Sequence, residues 1–189
     1  MSLAIYDDVW NLDLAVCPCD QHLLDWIAAE DIRGARIFHF GTGNHHLVGI
    51  RSAEDGRGNA VLGITAAPRE HESYVRLAIA RPEIARAYKV LFGDVYQLDG
   101  RLLPELDVAT LFHLGEFWSE KNAAYGAMTD RELALLLLDR LVPGGWMLFY
   151  TGSFAYDKAA SIADALEAEG RLLPAGRFAS LRLGRKPGG

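Results

Sequence analysis

The residues best suited to chemistry stand where apolar runs of the sequence end. A glycine-rich segment, Gly41 to Asn44, lies between His39 and His45, and His113 and Glu116 follow a later apolar run. Glycine lets a backbone turn tightly and approach a ligand closely. Imidazole and carboxylate groups exchange protons near neutral pH or bind metal ions. These residue types therefore indicate a ligand-binding turn with acid–base or metal chemistry beside it.

A second candidate group lies near the N-terminus, where Cys17 and Cys19 flank Pro18 and precede His22. Thiolate and imidazole are the usual zinc ligands, but a structural zinc site needs a fourth ligand and usually a wider cysteine spacing. One intervening residue also makes a disulfide between the two cysteines geometrically awkward. We therefore expect two free thiols in a reducing compartment and no metal ion, and a zinc site remains the alternative.

Alternating strand and helix patterns predict the framework that positions these residues. The apolar runs predict strands over 35–40, 60–65, 88–92, 106–114 and 146–150, and a terminal strand over 178–183 that pairs with 172–173. Helical spacing, with Asp20 as the first N-cap and Thr129 with Glu132 as a capping box, predicts helices over 20–30, 45–52, 68–80, 129–141 and 157–169. Pro82 is expected to end the third helical region. This alternation predicts an α/β fold: a doubly wound, mostly parallel sheet with helices on both faces.

Length and charge limit the classes of protein. The 189 residues are enough for one domain, which we expect to comprise an N-terminal segment and helix over 1–32, a core over 33–184 and a tail over 185–189. The net charge of −6 and the lack of a dense basic run argue against nucleic acid. No apolar run is long enough to span a bilayer, and acidic residues stand where a secretory signal would be basic. We expect a cytoplasmic protein.

Four motifs occur in an order that resembles a known family. They are Arg36 to His45 with the Gly-Thr-Gly turn, Tyr88 to Val95 ending in Gly-Asp-Val, Leu106 to His113, and Leu141 to Phe149 with the turn Leu-Val-Pro-Gly-Gly. Together they resemble the class I S-adenosylmethionine-dependent methyltransferases over about residues 33–183. This resemblance implies a Rossmann-like, seven-stranded sheet with an antiparallel last strand. A nicotinamide fingerprint and a P-loop are both missing from the sequence.

The resemblance also implies a cofactor, a reaction and site residues. The cofactor would be S-adenosylmethionine, and the acceptor a small molecule, with a hydroxyl favoured. The catalytic candidates are His113 and Glu116. The residues expected to bind the cofactor are His39, Gly41, Thr42, Gly43, Asn44, Thr65, Asp94 and Val95. A partner subunit in a homodimer, or the segment 3–26, is expected to complete the pocket.

Three positions depart from the family pattern and leave two other functions open. His39 replaces a carboxylate, His45 replaces a third glycine, and Thr65 stands where a carboxylate would bind the ribose. One alternative is therefore a non-enzymatic binding or scaffolding protein with a degenerate cofactor site. In the family's strand order the first and fourth strands are neighbours, which would bring histidines from both strand ends together. The other alternative is therefore a metal-dependent enzyme. Its ligands would come from His39, His45, His46, His113 and Glu116.

Overall fold

A seven-stranded sheet forms the centre of the computed structural model, which describes residues 4–188. The strands are β1 (Arg36–Phe40), β2 (Ala60–Thr65), β3 (Tyr88–Phe92), β4 (Leu106–Thr110), β5 (Leu141–Tyr150), β6 (Leu173–Phe178) and β7 (Leu181–Arg185). Their order is β3-β2-β1-β4-β5-β7-β6, and β7 runs in the direction opposite to the other six strands. The predicted mostly parallel sheet with an antiparallel last strand is confirmed.

Helices cover both faces of this sheet, as predicted. They are α1 (Cys19–Ala29), α2 (Leu47–Glu54), α3 (Pro68–Ala80), α4 (Pro82–Ala87), α5 (Glu120–Ala123), α6 (Asp130–Arg140) and α7 (Tyr156–Ala168). Buried residues of α6 and α7 pack on one face, whereas those of α1, α2 and α4 pack on the other. The capping box of α6 is present, with Thr129 and Glu132 bonding to each other's backbone amides. Within residues 4–188 we find no helix long and apolar enough to cross a membrane.

The predicted N-cap of the first helix is wrong. Asp20 does not cap α1, because Pro18 occupies that position and the Asp20 carboxylate is buried beside His39, with Oδ1 3.3 Å from Nε2. The predicted helix break at Pro82 is confirmed, because α3 ends at Ala80, and Pro82 then begins the short helix α4. Proline is well accommodated in the first turn of a helix, since its missing N–H has no intrahelical partner there.

The ends of three predicted strands also differ. β4 stops at Thr110, so residues 111–114 form a turn that carries His113 beyond the sheet. β5 begins at Leu141, five residues earlier than predicted. At the C-terminus the hairpin of β6 and β7 replaces the predicted strand 178–183, and Arg185 belongs to β7 rather than to a free tail. Arg185 Nη2 donates to Gly144 O at 2.7 Å, which holds this end of the chain on the sheet.

Residues 4–18, which we call the N-terminal strap, lie across the carboxyl ends of β1 and β2. Trp10 N donates to Glu70 Oε1 at 3.1 Å, and Trp10 O accepts from Asn44 N at 2.8 Å. Tyr6 N donates to Ala66 O at 3.2 Å. Of the segment predicted to complete the pocket, residue 3 lies outside the described residues, and the strap forms one wall of the cavity described below.

Candidate functional site

A cavity of about 430 Å3 opens at the carboxyl ends of the parallel strands. Residues at or just beyond the ends of β1 to β5 line it, together with strap residues: Gly41, Gly43, Thr65, Asp94, His113, Glu116, Tyr150, Tyr6, Trp10 and Cys17. This edge is where ligands bind in doubly wound sheets, because strand ends and free backbone amides converge there. The cavity is therefore the candidate functional site.

Two glycines of the β1 turn allow other side chains to come close. Gly43 has φ +54°, and a Cβ there would lie 2.5 Å from His45 Nε2 and 3.1 Å from Trp10 O. His45 thus folds back over the glycine turn and lines the cavity. Gly41 has φ +88°, and its Cβ would lie 3.2 Å from His113 Cδ2. The Gly-Thr-Gly spacing therefore makes room both for the strap and for the predicted catalytic histidine.

A carboxylate that sequence analysis missed stands at the end of β2. Thr65 Oγ1 donates to Glu70 Oε2 at 2.7 Å, and Glu70 is 7% exposed and lines the cavity. Glu70 lies in the first turn of α3, where the partial positive charge of the helix favours a carboxylate. The sequence signal that could have identified this carboxylate is the position of Glu70, five residues after Thr65. The end of β2 therefore carries an acidic group, although Thr65 itself does not.

Asp94, at the end of β3, is both a turn cap and a cavity residue. Oδ1 accepts from Tyr96 N at 2.9 Å, and Oδ2 accepts from Asn122 Nδ2 at 2.9 Å and from the Tyr125 hydroxyl. A carboxylate has about four lone-pair sites, so these three donors leave capacity for one more. Asp94 is 7% exposed and faces the cavity beside Val95.

The predicted cofactor-binding residues divide into two groups. Gly41, Gly43, Thr65, Asp94 and Val95 line the cavity. The other three, His39, Thr42 and Asn44, are not among the lining residues. His39 Nδ1 pairs with Thr110 Oγ1 at 3.0 Å, and the Thr42 methyl group packs over Gly63. Both side chains therefore contact residues of the sheet rather than the cavity.

The two predicted catalytic residues are in contact at the far end of the cavity. His113 Nδ1 lies 3.2 Å from Glu116 Oε2, and Ser153 Oγ donates to Glu116 Oε1 at 2.6 Å. Burial lowers the pKa of His113, but the bond to Glu116 outweighs burial and raises that pKa above its usual value. Burial raises the pKa of Glu116, but His113 reverses this effect and lowers it. Glu116 therefore makes His113 a stronger base than an isolated imidazole.

Within residues 4–188, the histidines do not gather into the metal site that the sequence left open as an alternative. His46 Nδ1 bonds to the Tyr88 hydroxyl at 3.0 Å, and His22 Nδ1 bonds to Ser180 Oγ at 2.6 Å, so neither joins a ligand cluster. His39 and His45 instead contact Asp20, at 3.3 and 3.8 Å. Burial raises the pKa of Asp20, but the neighbouring histidines, His39 above all, lower it overall. These histidines stabilise a buried carboxylate in the wall of the cavity.

Carboxylates outnumber basic groups among the side chains that line the cavity. Five carboxylates line it: Asp8, Asp20, Glu70, Asp94 and Glu116. None of the lining residues, which all fall within the described part of the chain, is a lysine or an arginine. Low-dielectric walls focus such a field. The site therefore favours a ligand that carries positive charge over one that carries phosphate groups.

Comparisons with known proteins identify the fold. No protein-family model matches the sequence, and no curated protein matches it significantly. Solved structures do match: the [4+2]-cyclase SpnF (21% identity, TM-score 0.53, 78% of this chain and 51% of that one) and an O-methyltransferase family protein from Burkholderia thailandensis (14%, 0.60, 90% and 57%). A candidate O-methyltransferase from Klebsiella pneumoniae also matches (14%, 0.62, 95% and 84%).

These similarities show that the chain has the class I S-adenosylmethionine-dependent methyltransferase fold, as the sequence motifs predict. The chain spans about half the length of the first of these structures. Since a cyclase shares the fold with methyltransferases, the reaction has to be argued from the site rather than from the sheet.

Proposed function

We propose that this protein is an S-adenosylmethionine-dependent methyltransferase that acts on a small-molecule nucleophile, with a hydroxyl favoured. The observation that carries the proposal is a cavity at the methyltransferase cofactor edge that is lined by five carboxylates and by no lysine or arginine among its described residues. A sulfonium cofactor is cationic and suits this field, whereas the pyrophosphate of a nicotinamide dinucleotide does not. The fold supplies the class of protein, and the charge of the site supplies the class of cofactor.

The residues present fit this cofactor from one end of the cavity to the other. Asp94 and Val95 would contact the adenine, and Glu70 beside Thr65 would accept from the ribose hydroxyls. The backbone turn at Gly43, which a Cβ would block, would hold the amino acid portion. The cavity volume of about 430 Å3 lies within the range of small-molecule sites, roughly 300–1,000 Å3. When bound, the cofactor would supply an electrophilic methyl group.

The acceptor would bind between the glycine turn and the ends of β4 and β5. His113 and Glu116 stand there with Tyr150 and the side chain of Phe154, which is 89% exposed at the edge of the cavity. Methyl transfer requires an aligned lone pair, so an enzyme mainly orients the acceptor and, for a hydroxyl, supplies a base. Glu116, oriented by Ser153, holds the His113 imidazole at its Nδ1, and Nε2 would take the proton from the acceptor.

The surroundings of the cavity support a small acceptor. The strap supplies the wall for which a partner subunit was the alternative, so the proposed site needs no homodimer to enclose it. A negative site with no basic lining residue among those described also disfavours a nucleic-acid substrate. The two free thiols, Cys17 and Cys19, support a reducing compartment, and we place the activity in the cytoplasm on that basis.

Calorimetry with S-adenosylmethionine tests the proposal directly. We expect micromolar affinity that Asp94→Ala weakens, and tighter binding of S-adenosylmethionine than of S-adenosylhomocysteine, because only the former carries the sulfonium charge. NAD serves as the anionic control and should give no heat. If S-adenosylmethionine at millimolar concentration gives neither heat nor a thermal shift, the proposal that this protein is an enzyme is rejected. That result would favour the non-enzymatic alternative, in which His45 and the strap replace the cofactor.

A further inference from the structure

We propose that Cys17, Cys19 and His113 form a binding site for one zinc ion, with a fourth coordination position open to the cavity. One potential ligand atom from each residue lies within 4.8 Å of the other two. The two sulfurs are 3.4 Å apart. In a tetrahedral site with Zn–S bonds of about 2.3 Å, two sulfurs lie about 3.8 Å apart, so small side-chain rotations would complete the geometry.

The fold, rather than the sequence spacing, assembles these three donors. Cys17 lies at the end of the strap, Cys19 is the first residue of α1, and His113 comes from the turn after β4. Gly41 allows this approach, since any side chain there would press on the His113 ring. All three donors line the cavity. His22, the histidine nearest in sequence to the cysteines, is instead held by Ser180.

Hydrogen bonds already hold the histidine as a metal ligand requires. Glu116 Oε2 lies 3.2 Å from His113 Nδ1, and Ser153 Oγ donates to Glu116 Oε1 at 2.6 Å. Histidines that bind zinc typically donate their other ring N–H to a carboxylate in this way, which fixes the tautomer and the ring orientation. His113 Nε2 is thereby left available for coordination.

Charge and donor type favour zinc over magnesium or calcium. Two thiolates and an imidazole are soft ligands, whereas magnesium and calcium prefer oxygen. The carboxylates of Glu116 and Asp20 are close by, Asp20 Oδ1 being 3.6 Å from Cys19 Sγ, and would stabilise a cation. Three protein ligands plus one open position is the arrangement of catalytic rather than structural zinc sites.

This site does not depend on methyl transfer, although it adds to the proposed function. An acceptor atom that filled the open position would be activated by the metal, so His113 would act as a ligand in the zinc-bound protein and as the base in the metal-free protein. Because zinc binding and cofactor binding are measured separately, either proposal can fail while the other stands.

The test is zinc titration of the reduced, metal-free protein in competition with a chromophoric chelator. We expect one equivalent to bind. Cys17→Ser and Cys19→Ser should each weaken binding by more than about 100-fold, and Glu116→Gln by about 10–100-fold, the usual loss when a supporting partner of a ligand is removed. His22→Gln is the control, because His22 is close to the two cysteines in sequence but is held by Ser180 in the structure. This variant should leave the zinc affinity unchanged.

Two measurements on the unmutated protein keep the test independent of variant folding. Cobalt bound in place of zinc should show a thiolate charge-transfer band, and zinc should protect both cysteines from alkylation. The proposal is overturned if zinc does not bind stoichiometrically, or if it binds without protecting the thiols. Zinc affinity that is equal in the cysteine variants and the unmutated protein would overturn it as well.

Discussion

Replacing Glu70 with glutamine tests the carboxylate that the tertiary structure places at the end of β2. Its two oxygens accept from two donors, the buried Thr65 Oγ1 at 2.7 Å and the partly buried Trp10 N at 3.1 Å. In Glu70→Gln the single acceptor oxygen can serve Trp10 N and the amide N–H can donate to Thr65 Oγ1, so two charge-assisted hydrogen bonds become neutral ones. Hydrogen bonds to charged groups contribute about 1.5–3 kcal/mol and neutral ones about 0.5–1.5 kcal/mol, so the free energy of unfolding should fall by about 1–3 kcal/mol.

Cofactor affinity should fall in the same variant. A hydrogen bond from a ribose hydroxyl to a carboxylate is stronger than one to a neutral amide by about 1–2 kcal/mol, which corresponds to roughly a tenfold weaker binding of S-adenosylmethionine. Glu72→Gln is the matched control, since Glu72 lies on the same helix with 68% of its side chain exposed and pairs with Arg76 at 3.9 Å. An exposed pair of this kind contributes at most about 1 kcal/mol.

Denaturant unfolding and calorimetry of the two variants distinguish the parts of this reasoning. If Glu70→Gln is as stable as Glu72→Gln, the bonds to Thr65 and Trp10 do not hold the strap as described. If stability falls but the affinity for S-adenosylmethionine does not, Glu70 supports the strap and does not contact the ribose.

Two further predictions concern His46 and Gly43. Burial, with a smaller effect of His45, lowers the pKa of His46 from 6.5 to about 4, so the neutral form stabilises the fold above pH 6.5 and this contribution is lost as the pH falls towards 4. The free energy of unfolding should fall by about 2 kcal/mol from pH 7 to pH 5 through this group, and less in His46→Asn, as urea titrations at both pH values would show. Gly34→Ala should cost about 1 kcal/mol of stability, because Gly34 has a positive φ, and Gly43→Ala should cost more, because its φ is also positive and its Cβ would press on His45 and Trp10 O. Only Gly43→Ala should also weaken cofactor binding, because nothing lies within 4 Å of a Cβ at Gly34. Equal affinities of the two variants for S-adenosylmethionine, measured by calorimetry, would contradict this account.

The candidate site shows which contacts can be predicted from residues that are close together in the sequence. His113 and Glu116 are three residues apart, and their contact could be anticipated because both follow one strand. Glu70 was missed because the family pattern directs attention to the last residue of β2, whereas the carboxylate arrives from the first turn of the next helix. The sequence around Asp20 indicates a helix cap, because the contacts of Asp20 with His39 and His45 arise only in the folded chain.

The sequence predicts most of the strands and helices and the glycine turn, because apolar periodicity and turn residues act over a few neighbouring positions. It also indicated which strand ends carry polar groups. Which of those groups meet depends on the packing of the whole chain: the strap contacts Glu70, and Cys17 lies near His113 rather than His22. Such contacts join residues 60 to 96 positions apart, and their geometry depends on how the strap, the sheet and the turn after β4 pack together.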